Sequence, residues 1–454
     1  MRVRRGVFSA PIIATAVLAV AMAAAVTAAV MARTHRHAAL TAALERVLAA
    51  APPPSVSKDT WPAVRAFYAQ RDGSLAWVRG QAPSGASATA IRVLQSSRDH
   101  GLVPRDDERM AAAREGLARA TVRGADHDAT LAAFDVELTA ALLTLGRDVA
   151  VGRTSPASLD SRWKARRRVP DLAATLAAAY GSGLTSWLDT VRPQHPQYAA
   201  LRRALASLYD DLESGEAPEA TADRIKIVSA NLERWRWMPD SLGNRYLFVN
   251  IPSFMLVARE ADKPVLTMKV VTGKPDTSTP VFSSEMTTLV FSPYWNIPES
   301  IAENETMVAA NRDPEYLERN HIEQIESGNG DVRLRQKPGP GNALGFVKFL
   351  FPNPYNVYLH DTPSDNLFAK TVRALSHGCV RVEQPEALAR YVLRGDAAWD
   401  DHRIELAMHD GTESHVKLPA PIPVHIAYFT AWVDDAGTLV FGPDVYGYDR
   451  KAKN

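Results

Sequence analysis

Cys379 is the only cysteine in 454 residues, and two histidines lie near it: His377 two positions earlier and His360 nineteen positions earlier. A thiol and imidazoles this close in sequence are the parts of a thiolate nucleophile and its base. A free thiol titrates at about pH 8.5, so an imidazole is needed both to ease its ionisation and to supply a general acid to a leaving amine. Val357-Tyr358-Leu359-His360 alternates as a short strand does, which projects Tyr358 and His360 from one face and Val357 and Leu359 from the other. Ser376-His377-Gly378 reads as a tight loop. There Gly378 lets the backbone approach a substrate, and adjacent amides can point at a developing oxyanion. Arg381 is placed either to pair with a substrate carboxylate or to form a structural salt bridge beside the loop. Tyr358 and Trp295 either wall a cleft or pack. His360, Asp361, His377 and Cys379 are also acceptable zinc ligands, but structural sites of this mixture usually show tighter cysteine pairs.

These groups need elements to hold them. After the turn-rich break Ser214-Gly215-Glu216-Ala217-Pro218 the chain has period two, with strand-like runs at 246–251, 254–257 and 265–271. Leu266, Met268 and Val270 alternate with Thr267 and Lys269, as in a half-buried strand. Trp235 and Trp237 precede these runs and are expected to pack. Residues 299–345 interrupt them with a charged, helix-tending stretch that ends in Lys337-Pro338-Gly339-Pro340-Gly341. No G-K-[S/T] follows these glycines, which excludes a nucleotide-binding loop. Past Cys379 a helix starts near Pro385 and stops at Gly395. Runs at 424–429 and 439–441 are expected to complete the sheet. Residues 58–222 read as helical instead. Leu131, Phe134, Leu138, Leu142 and Leu145 step by three and four, as do Tyr198, Leu201, Leu205, Leu208 and Leu212. Residues 38–57 end in Pro52-Pro53-Pro54-Ser55 and read as a stiff linker.

The arrangement H-(15 residues)-S-H-G-C-V-R resembles the signature of the L,D-transpeptidases, with their YkuD-type catalytic domain. N-L-E-R-W-R-W-M-P at 231–239, F-S-P-Y-W-N-I-P at 291–298, P-G-P-G-N-A-L-G at 338–345, K-F-L-F-P-N at 348–353 and Y-F-T-A-W-V at 428–433 resemble the large periplasmic YcbB-like branch. F-Y-A-Q-R-D-G-S-L-A-W at 67–77 is similar to the scaffold region of that branch. The resemblance implies an α+β chain: a helical scaffold at 58–222, then a mainly β catalytic domain at 223–454 with 299–345 as a candidate lid. It implies Cys379 as nucleophile, His360 as general acid and base, and His377 as an aid to substrate or oxyanion binding. No cofactor or metal is implied. A third group must orient His360. The Asp361 carbonyl or carboxylate is adjacent, but side chains of neighbouring strand residues point apart, which favours a backbone carbonyl elsewhere and leaves the group open. The implied substrates are peptidoglycan stem peptides, joined by 3→3 cross-links through a thioester with release of D-alanine, and carbapenems are expected to acylate Cys379. Hydrolysis by an L,D-carboxypeptidase, or detachment of wall-linked proteins, would use the same residues. A catalytically silent wall-binding scaffold would need neither His360 nor Cys379. Two departures stand out. Ser292 occupies a place where Asn is expected, and only residues 214–223 separate the last scaffold helix from the catalytic domain, leaving no room for a separate wall-binding module.

Composition agrees with an exported enzyme. The first 37 residues carry five arginines and no acid; the remainder has 47 basic and 51 acidic residues, a net −4, which gives no nucleic-acid stripe. One cysteine rules out an intrachain disulfide framework. Residues 7–32 are 26 consecutive uncharged positions, enough to cross an apolar layer of ~30 Å. Arg2, Arg4 and Arg5 ahead of them favour a cytoplasmic N-terminus, and Arg33 and Arg36 behind them weaken that preference. Residues 1–37 are therefore an anchor or a cleaved signal. Either places the rest in the periplasm, at the inner membrane in the first case.

Overall fold

The computed structural model describes residues 10–54, 56–102, 105–124, 126–215, 217–326 and 332–451. Arg2, Arg4, Arg5, residues 7–9, Ser55 and Glu216, all used in the sequence reading, lie outside them. The chain forms two compact units. One comprises residues up to 152 with 168–193, the other residues 153–167 with 194–454.

The first unit is helical. Helix α1 (Ala10–Ala49) runs without a break past residue 38, where a linker was expected to begin. The reason is that Leu40, Ala43 and Leu44 repeat at helical spacing and are buried in the unit's core. Its earlier turns are different. Met22, Val26, Val30 and Met31 are 65%, 63%, 58% and 61% exposed, an apolar surface that none of the described residues covers.

Helix α2 (His127–Val151) is apolar enough to cross a membrane, but Leu131, Phe134, Leu138, Leu142 and Leu145 are all buried. It is a core helix. At its centre lies Asp135, fully buried, which accepts hydrogen bonds from the Tyr68 hydroxyl (2.6 Å) and the amides of Ala76 (2.9 Å), Trp77 (2.6 Å) and Val78 (2.9 Å). Burial raises its pKa to about 6 in spite of these bonds. The folded chain therefore holds this proton where an unfolded aspartate has lost it, and between pH ~4 and ~6 the contribution of Asp135 to stability falls as pH rises. Asp135→Ala strands four donors. It should cost about 3–5 kcal/mol, read as a lower urea midpoint for the helical unit. An unchanged midpoint would mean that water replaces the carboxylate.

The second unit is built on a closed sheet. Its strands are β1 (Arg245–Asn250), β2 (Met255–Glu260), β3 (Lys263–Gly273), β4 (Phe282–Phe291), β5 (Val347–Leu350), β6 (Leu359–His360), β7 (Val380–Val382) and β8 (Ser414–Ala427). The order β3-β7-β6-β5-β4-β8-β1-β2 returns to β3 through the β2–β3 pairing, so these eight strands close as a barrel, and Ala374–Ser376 adds a short parallel strand against the end of β3. β6 and β7 run parallel, with Leu359 opposite Val380 and His360 opposite Arg381. Residues 439–441 were expected in this sheet, but they pair only with Ala431–Val433 as a separate hairpin.

Residues 153–167 and 194–222, assigned by sequence to the scaffold, belong to this unit. Helices α3 (Pro196–Ser214) and α4 (Pro218–Trp237) bury Leu201, Leu205, Val228 and Trp235 in one core with Phe429 and Ala431. Residues 153–167 also pack here. Trp163 meets Trp237 edge-on at 5.1 Å, and Arg162 donates to the Ser278 hydroxyl (2.6 Å). Helical periodicity is local information and does not say which core a helix joins.

The 299–345 insertion is part helix and part sheet. Glu299–Ile301, a π-helical turn at Ala302–Thr306 and Met307–Arg312 are followed by Ile322–Glu326 and Val332–Gln336, which form a small antiparallel sheet with Trp295–Asn296. Ser292 adopts φ +42°, in the left-handed region that Asn tolerates best, and its hydroxyl donates to the Ala407 (3.2 Å) and Met408 (3.0 Å) carbonyls.

Candidate active site

Parallel pairing of β6 with β7 positions the chemistry. His360 ends β6, and Cys379 immediately precedes β7, where the Val380 amide donates to the Tyr358 carbonyl (3.1 Å). One cavity of about 720 Å³ is lined by Tyr358, His360, His377, Gly378, Cys379 and Arg381, and also by Trp295 and Ser376. These eight candidates thus line one space, whereas Asp361, also weighed from sequence, does not. Tyr358 and His360 lie on the same side of their strand, rings 5.7 Å apart.

His360 is buried, and its Nδ1 lies 2.5 Å from the carbonyl of Asp361, which orients the ring and leaves Nε2 free to accept a proton. The orienting group is a backbone carbonyl, but of the next residue and not from elsewhere in the chain. The Asp361 carboxylate braces it indirectly by accepting from the amides of Phe346 (2.8 Å) and Thr362 (2.7 Å). This is possible because Gly345, at φ +59°, has no Cβ where the carboxylate sits.

The Cys379 loop is pinned from within and from below. Ser376 Oγ donates to the Cys379 carbonyl (2.6 Å) and accepts from the Gly378 amide (3.1 Å). The Gly378 amide, expected among the oxyanion donors, is therefore already engaged. Thr279 donates to the Gly378 carbonyl (2.7 Å), and Thr277 donates to that of Ser376 (3.1 Å). Gly378 itself has φ +122°, which an L side chain would strain. Thr277 and Thr279 were missed in the sequence, where nothing local marks them.

The electrostatics set the resting protonation state. Burial lowers the His360 pKa to about 3, with help from Arg381 and Lys348, so the imidazole is neutral. Burial also raises the Cys379 thiol, against the opposing pull of Tyr358 hydrogen bonds and the Arg381 charge. The pair rests as thiol and neutral imidazole. A third contact was not anticipated: His377 Nε2 lies 2.7 Å from Glu305 Oε1, on the insertion. Nothing in the sequence distinguishes Glu305 among the insertion's acids. Among the described residues no three His, Cys, Asp or Glu side chains converge as metal ligands would.

Residues 244–411 match the L,D-transpeptidase catalytic domain model, YkuD, and residues 62–205 match the scaffold domain model. The chain carries a YkuD-type L,D-transpeptidase catalytic domain behind a scaffold domain. A curated relative from Haemophilus influenzae, named for the L,D-transpeptidases, is 33% identical over 241 residues, covering 49% of this chain and 48% of the relative. The match thus spans about half of each. Among solved structures, an L,D-transpeptidase from Mycobacterium smegmatis is 13% identical (40% of this chain, 58% of that one, TM-score 0.23). An LD-transpeptidase in complex with imipenem is 14% identical (40% and 59%, TM-score 0.23). The cavity described above lies within the YkuD domain: Trp295, Tyr358, His360, His377, Cys379 and Arg381 all fall in its matched range.

Proposed function

We propose that this chain is a peptidoglycan L,D-transpeptidase that forms 3→3 cross-links between stem peptides through a thioester on Cys379. The observation that carries the reading is the parallel β6–β7 register, which brings a neutral, oriented imidazole and a thiol to one cavity. In the first step His360 Nε2 takes the thiol proton as sulfur attacks the carbonyl between the third stem residue and the terminal D-alanine. The amide of Cys379, with the Tyr358 hydroxyl, supports the oxyanion, and Arg381 takes a substrate carboxylate. His360 then returns the proton to the departing D-alanine amine. In the second step the side-chain amine of another stem displaces sulfur, and the thiol is regenerated. The 299–345 insertion acts as a lid that shields the thioester from water.

The exposed apolar turns of α1 support an anchor in the inner membrane, with both units in the periplasm. Since α1 runs unbroken from its exposed apolar turns into the first unit's core, the anchor holds that unit without a flexible joint.

A carbapenem tests the nucleophile. Imipenem should add its mass once, and peptide mapping should place it on Cys379. The rate should show no acid limb near pH 6.5, because His360 stays neutral down to about pH 3. An adduct elsewhere, or a rate that halves between pH 6 and 7, would contradict this assignment.

A further inference from the structure

Beside the Cys379 cavity lies a second, smaller one of about 230 Å³, and the two share Trp295, Ile301, Glu305, Ala343 and Arg381 as a common wall. The smaller cavity is otherwise polar, with Tyr316, Asn320, Gln336, Thr362 and Ser364 among its lining residues. Its two charged residues are both on the shared wall, and they are of opposite sign. Arg381 Nε is buried with no hydrogen-bond partner among the described residues. The Arg381 side chain is half-buried, and an anion that reaches it would take the bond that Nε lacks. Glu305 sits in a π-helical turn, a distortion that often marks functional positions, and its carboxylate reaches His377 at the mouth of the Cys379 cavity.

We propose that the smaller cavity is the acceptor subsite, in which Glu305 holds the ammonium of the incoming amine and Arg381 the carboxylate on the same carbon. The ligand class is a zwitterionic α-amino-acid end, which is what the second substrate presents if the transpeptidase reading holds; the inference rests on that reading. It also gives His377 a definite task. An ammonium is not a nucleophile, so it must lose a proton before it attacks. The proton passes to His377, whose imidazolium the Glu305 carboxylate stabilises. The amine nitrogen then bonds to the thioester carbonyl carbon, the C–S bond breaks, and a second nitrogen proton goes through His360 to the Cys379 sulfur. One proton stays on the new amide. The donor stem occupies the larger cavity throughout, so the two substrates need not exchange places.

The two half-reactions can be scored separately. Full-length protein in detergent would be given disaccharide-tetrapeptide as donor, with D-alanine release reporting acylation and the dimer-to-tripeptide ratio reporting capture by amine or by water. Acceptors would carry either a free carboxylate or its amide beside the amine. For Glu305→Gln, the loss in dimer formation should exceed any loss in D-alanine release by about ten-fold or more, with a raised acceptor KM and more tripeptide. The unaltered protein should prefer the carboxylate acceptor. Equal losses in both half-reactions, or an unchanged dimer-to-tripeptide ratio, would overturn the subsite and leave Glu305 as a lid contact. Absence of D-alanine release from the unaltered protein would instead remove the transpeptidase reading beneath it.

Discussion

Cys379→Ala should abolish D-alanine release, a fall of about 10⁴-fold or more, because Cys379 is the chain's only thiol and the proposed thioester forms on it. His360→Ala should cost about 10²–10⁴-fold in the same assay, since the thiol would then have to ionise unaided. Burial makes that unaided route poor: the Cys379 pKa is pushed up, and the Arg381 charge offsets this only in part. The double variant should be no worse than Cys379→Ala alone, because the two residues act as one unit. Additive losses would mean that His360 serves something other than the thiol. Rates come from D-alanine release, with circular dichroism to confirm that each variant is folded.

The second large effect is expected at a residue that touches no substrate. In Gly345→Ala the new Cβ would lie 2.2 Å from Asp361 Oδ2 and 2.5 Å from Asp361 Cβ, so Asp361 has to move. The φ of +59° adds about 1–2 kcal/mol of backbone strain. Asp361 is the residue whose carbonyl orients His360, and a shift of about 1 Å in a catalytic group can cost about 10²-fold. Acylation by imipenem should therefore slow by about that factor, accompanied by a lower melting temperature. A variant that melts with the unaltered protein and acylates at its rate would show that Asp361 does not govern His360.

Most of the residues that line the cavity were legible in the sequence, because they fall within 25 positions from Tyr358 to Val382. Strand alternation was enough to put Tyr358 and His360 on one face, and a glycine beside the only cysteine was enough to locate the loop. Contacts across long separations were not legible. Glu305 reaches His377 over 72 positions, and Thr279 reaches Gly378 over 99. Neither leaves a local signature. The orienting carbonyl was missed for a different reason. Arguing from side-chain directions excluded Asp361 as a carboxylate, correctly for that group, but strand periodicity says nothing about a backbone oxygen one residue away. The same limit explains the helices. The stripe on α3 shows that one face is buried, but not that the covering residues are Phe429 and Ala431 of the barrel unit. The linker expectation does not hold for residues 38–49, because Leu40, Ala43 and Leu44 continue the helix ahead of the prolines at 52–54.

We propose that two stem peptides are joined through Cys379. The most direct test is to incubate the full-length protein in detergent with purified disaccharide-tetrapeptide and follow products by liquid chromatography and mass spectrometry. The unaltered protein should yield a tetrapeptide–tripeptide dimer and free D-alanine, and Cys379→Ala should yield neither. Tripeptide without any dimer would contradict cross-linking and make the chain an L,D-carboxypeptidase.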